Sequence, residues 1–90
     1  MKMKKLAYSE ISKILFNAEI ESYENLTNEE LIWVLKSEVP EERAIAAKLL
    51  GERNAMIALP YICKTLANEK EKYISVIMSE ALLSLTAGQK

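Results

Sequence analysis

Histidine is missing altogether from this chain, cysteine occurs once, and glycine and proline occur twice each. Each scarcity excludes something. A lone thiol, Cys63, forms no disulfide within the chain. Without histidine it builds neither a structural zinc site nor a thiol–imidazole catalytic pair. Long apolar runs are lacking too: nothing approaches the roughly 18 residues that span a bilayer. Lys2, Lys4 and Lys5 resemble the start of a signal peptide, but Ser9, Glu10, Ser12 and Lys13 interrupt the apolar stretch that would have to follow. Nor does one sign of charge dominate, since 12 basic and 13 acidic residues leave a net charge of −1. Phosphate backbones call for a clustered basic surface, so no nucleic-acid partner is expected, and the N-terminal lysines read as a solvated end. These exclusions describe a cytoplasmic protein with a reduced thiol, without metal, cofactor or membrane partner.

What the chain does have is apolar residues at helical spacing. Half of its 90 residues are hydrophobic, enough to offset the entropy of ordering one small domain. Five helices are expected. The first covers about residues 9–21, with Ile11, Ile14, Leu15 and Ala18 in one stripe. The second begins at Thr27-Asn28-Glu29-Glu30, a capping box, buries Leu31, Val34 and Leu35, and stops before Val39-Pro40. The third runs from Pro40 to about Leu50, with Glu41 and Glu42 at the positive end of its dipole and Ile45, Ala46, Leu49 and Leu50 inward. Gly51 is expected to end it in the left-handed conformation. The fourth spans about residues 58–68 with Pro60 in its first turn and Leu59, Ile62, Cys63 and Leu66 on its buried face. The fifth runs from about Glu71 to Ala87, with Ile74, Ile77, Met78, Ala81, Leu82 and Leu85 on one face.

The hairpins repeat. Leu31 through Glu38 aligns with Ile62 through Glu69 at an offset of about 31 positions, and after one inserted residue Glu42, Ala46 and Leu50 fall on Ile74, Met78 and Leu82. Two helices per unit at this period indicate a helical solenoid, in which units that cannot bury their own faces stack and share a core. The stretch Glu42-Arg43-Ala44-Ile45-Ala46-Ala47-Lys48-Leu49-Leu50-Gly51, followed by Ala58-Leu59-Pro60 and Leu66, resembles the HEAT repeat, most closely the short PBS-lyase-like kind. The resemblance covers about residues 27–85. It implies an all-α fold of antiparallel helical hairpins stacked as a short HEAT-like α-solenoid. The domain would be single, with residues 1–26 as an N-terminal cap helix and residues 27–90 as the repeat units. It also implies that Arg43 supports polar contacts between units, although Ser75 stands at the equivalent position of the second unit. Lyase activity does not follow from a repeat name.

No residue pattern points to catalysis. Cys63, on an apolar helix face, reads as inert core. The carboxylate groups Glu29-Glu30 and Glu41-Glu42 stand at helix starts, where the dipole accounts for them, and adjacent helical residues do not face one another. The expected function is therefore protein interaction or scaffolding. The alternative is an accessory domain of a larger HEAT-repeat enzyme or regulator, and a nucleic-acid-binding domain ranks below both. Candidate partner-binding residues are Trp33, Tyr61, Tyr73, Val76 and Leu83. Trp33 is expected to pack on the first helix when it is not an anchor, and the tyrosines to be half-buried between layers. Val76 and Leu83 lie off the buried face of the last helix, which therefore looks prepared for another helix, and a homodimer through that helix is one possible arrangement.

Overall fold

The computed structural model describes residues 21–87, which form an all-helical domain with no strand among the described residues. After a 3₁₀ turn at Glu21–Tyr23 come four α-helices: α1, Asn28–Val34; α2, Pro40–Glu52; α3, Leu59–Ala67; and α4, Lys72–Ala87. The expected helix over residues 9–21, and with it any contact to Trp33, lies outside the described residues apart from Glu21.

Helix α1 starts as its capping box dictates. The Thr27 hydroxyl accepts from the Glu30 amide at 3.1 Å, and the Glu30 carboxylate accepts from the Thr27 amide at 2.8 Å. It is shorter than expected, ending at Val34 rather than near Val39. Ser37 explains the difference, because its hydroxyl accepts from the Val39 amide at 3.0 Å and donates to Glu42. A serine that bonds locally offers the backbone an alternative to another helical turn. Pro40 then opens α2 in the first turn, where its missing N–H costs nothing.

The C-terminus of α2 also differs from expectation. Gly51 stays helical, the helix runs on to Glu52, and the left-handed residue is Asn54, at φ 54°. Gly51 serves packing instead. A Cβ there would lie 3.0 Å from both Cα and Cβ of Ala81 and 3.2 Å from its carbonyl oxygen. The glycine lets α4 lie nearly backbone to backbone on α2.

Two hairpins result. Arg53, just after α2, donates to the carbonyls of Leu26 and Glu24 at 2.7 Å each, tying the end of α2 to the start of α1, so the two helices run antiparallel. A four-residue link joins α3 to α4, which pack together. The most extensive interface is between α2 and α4. These two run parallel, since Glu41 meets Tyr73 at their starts and Gly51 meets Ala81 toward their ends. The core between the layers holds Leu31, Leu35, Ile45, Leu50, Ile62, Ile74, Met78 and Leu85, all essentially inaccessible to solvent. Each contributes about 1.5–3 kcal/mol through burial. Helices α1 and α3 are not among the closely packed pairs.

Candidate functional site

Polar contacts at the start of α2 tie it to the turn before it and to the second hairpin. The Arg43 guanidinium grips Glu69, in the α3–α4 link, through Nε and Nη2 at 2.8 Å each, and its Nη1 donates to the Ser37 carbonyl at 2.8 Å. The Glu69 side chain is 1% exposed, and this two-pronged charge-assisted bond holds its carboxyl below the usual carboxylate range against the opposing effect of burial. Glu42 accepts from Ser37 and Tyr23, and those bonds lower its pKa as well. Glu41 accepts from Tyr73. The acidic pair at the start of α2 thus does more than complement a helix dipole: it ties α2 to the preceding turn on one side and to α4 on the other. The Arg43–Glu69 pair joins the two hairpins across 26 positions of sequence.

The five candidate residues do not form one site. Val76 and Leu83 lie on the outer side of α4, 52% and 68% exposed. Tyr73 is half-buried between α2 and α4 with its hydroxyl committed to Glu41. Trp33, on α1, is 69% exposed, with the Lys36 ammonium 4.3 Å from its ring centroid, a cation–π contact. Tyr61, on α3, is exposed rather than half-buried. It borders an open groove of about 370 Å³ between α1 and α3, whose apolar floor includes Ile32 and Leu35.

Cys63 also departs from expectation, being exposed rather than part of the core. The buried stripe of α3 is narrow, with Ile62 fully covered and Leu59 and Leu66 half-covered. Cys63 aligns with Ile32 of the preceding hairpin, which has α3 beside it. Among the described residues no further helix lies beside Cys63. Helical spacing puts Cys63 on an apolar face, but spacing shows which residues share a face, not whether a neighbouring helix covers its edge. No group of three or more metal-ligating side chains that could hold an ion occurs among the described residues, and no described helix is long and apolar enough to cross a membrane.

The outer side of α4 has a structural counterpart. Glu41, Ala44, Ala47 and Gly51 lie on one stripe of α2, and both ends of that stripe touch α4. Shifted by the 32 positions that align Glu42 with Ile74, the same stripe on α4 reads Tyr73, Val76, Ser79 and Leu83. Where α2 carries two buried alanines and a glycine set against Ala81, α4 presents a valine and a leucine to solvent. No family model, no curated protein and no solved structure matches the chain.

Proposed function

We propose that this chain is a non-catalytic protein-interaction module of the HEAT-repeat type, two stacked helical hairpins whose outer α4 face receives another protein, in the simplest case a second copy. The observation that carries the reading is the equivalence just described. Val76 and Leu83 stand on α4 where α2 carries the residues that stack on its neighbour, yet they are 52% and 68% exposed. A stacking face left open is costly in a repeat array, whose ends ordinarily turn polar. The Arg43–Glu69 bridge between hairpins is in keeping with the role that the resemblance implies for the arginine. The same open face would suit a further element of a longer HEAT-repeat enzyme or regulator, docked otherwise than α4 docks on α2, the second reading.

Light scattering across a range of concentrations, under reducing conditions, tests the proposal. A mass that rises to the dimer and returns to the monomer in a Val76→Glu, Leu83→Glu double variant is the expected result. A monomer at every concentration removes the second copy as partner. A dimer that survives the double substitution shows that the α4 face is not the interface.

A further inference from the structure

The groove between α1 and α3 lies apart from the α4 face, and its chemistry is one-sided. Its floor is apolar, with Ile32 half-buried and Leu35 2% exposed. Its charged side chains are Lys36 and Lys64, and its lining contains no carboxylate, although acidic residues outnumber basic ones in the chain. Two neutral polar side chains of the lining bond to nearby backbone. The Thr65 hydroxyl donates to the Tyr61 carbonyl at 2.8 Å, and the Asn68 amide donates to the Lys64 carbonyl at 3.1 Å. Arg43, Lys48 and Arg53 are committed elsewhere, to Glu69, Glu52 and backbone carbonyls, while Lys70 and Lys72, which do not line the groove, form no ion pair with a described residue. Neither groove lysine forms an ion pair with a described residue. Lys36 sits over the exposed ring of Trp33, and Tyr61 adds a second exposed aromatic at the rim.

We infer that this groove binds an acidic peptide segment of a partner protein, whose apolar side chain fills the space over Ile32 and Leu35 while flanking carboxylates meet Lys36 and Lys64. The volume is at the lower end of the range of ligand pockets, room for one or two side chains rather than for a folded domain. Aromatic residues beside an apolar floor are the usual anchors of such contacts. Two lysines make too few phosphate contacts for a nucleic-acid site of useful affinity, since binding there accumulates over many charge contacts. The peptide reading uses both the apolar floor and the charge, which is why it is preferred.

The test uses a fluorescein-labelled amphipathic peptide, free of tryptophan, with glutamates on one face and leucine and phenylalanine on the other. Its counterpart carries lysine for every glutamate, and oligothymidylate serves as a nucleic-acid competitor. Anisotropy should rise saturably with the acidic peptide, weaken with added salt, and stay flat with the basic one. Lys36→Glu with Lys64→Glu, both exposed and checked for helicity by circular dichroism, should weaken binding about tenfold, as expected for the loss of two surface ion pairs and their replacement by like charges. Emission from Trp33, the only tryptophan, should change on binding to the unaltered protein and so locate the peptide. Val76→Glu with Leu83→Glu should leave the affinity unchanged, which separates this site from the α4 face. No saturable binding at millimolar peptide, or equal affinity after the lysine reversals, overturns the inference. Tighter binding of oligothymidylate than of the acidic peptide overturns it in favour of a nucleic-acid surface.

Discussion

Replacing Gly51 by alanine sets two effects of known sign against each other. Within a helix the change alone gains about 0.5–1 kcal/mol, because glycine loses the most backbone freedom on folding. Gly51 lies inside α2, so that gain applies. Against it, the new methyl would stand 3.0 Å from Cα and Cβ of Ala81, where carbon atoms favour about 3.5–4.0 Å. Neither atom can swing aside like the tip of a long side chain. Helix α4 would have to retreat by several tenths of an ångström, loosening Ile74, Met78 and Leu85 at once. Overpacking of this kind costs about 1–3 kcal/mol, so the net expectation runs from no change to a loss of about 2.5 kcal/mol. In a domain of this size each kcal/mol moves Tm by about 4–8 °C, and thermal unfolding followed by far-UV circular dichroism resolves such a shift. Adding Ala81→Gly to the variant should recover part of the loss, a coupling that independent sites would not show. A rise in Tm for Gly51→Ala alone would refute the close crossing and with it the α2–α4 geometry.

Other expectations follow from the same packing. Ala46→Asp puts a carboxylate at a position with 0% exposure and should unfold the domain or lower its Tm drastically; an unchanged Tm would place this residue on the wrong side of α2. Glu69→Gln leaves the Arg43 guanidinium without its charged partner and should cost about 2–3 kcal/mol at neutral pH in chemical denaturation. Glu69 and Glu42 titrate below the ordinary carboxylate range when folded. The stability they contribute is therefore complete above the unfolded value of about 4.3 and is lost as pH falls through their lowered folded values. Glu69→Gln should flatten that acid limb, and an identical pH profile would contradict the bridge. Thr27→Ala should cost about 1 kcal/mol through loss of the capping box, measured by urea unfolding. Cys63 is exposed and should react with a disulfide reagent as readily in buffer as in denaturant; protection would return it to the core.

The all-helical character and the positions of α1 to α4 were legible in the sequence because period and punctuation agree. The Thr27–Glu30 box, Pro40 and Pro60 each mark a helix start within the first turn, and the i, i+3, i+4 stripes name most of the buried residues. What was not legible depends on neighbours distant in sequence. Gly51 looks like a helix terminator, and only the approach of Ala81, thirty positions on, shows that it makes room for a crossing. Ser37 looks like one more turn of helix until Glu42 and the Val39 amide claim its hydroxyl. Of the candidate surface residues, Val76 and Leu83 were identifiable because they break the stripe of their own helix. The groove was not, because it forms between α1 and α3, whose relative placement no local spacing encodes.

The contrast between Gly51 and Leu83 bears on how this protein can assemble. An open stacking face is the usual route to a filament, in which each copy adds to the last by the same rotation and translation and the series never closes. Here that route is blocked by side-chain size. A copy adding to α4 as α4 adds to α2 would need to bring backbone to within 3.0 Å of the position where the glycine's missing Cβ would stand, and at that point α4 carries the full side chain of Leu83. The step inside the chain cannot be reused outside it. Under the proposed self-association a second copy would meet α4 by some other operation, and a two-fold axis, which sets the same face against itself, would use up the surface in a single event. If α4 receives a second copy, as proposed, Leu83 at the position equivalent to Gly51 favours a pair over a polymer.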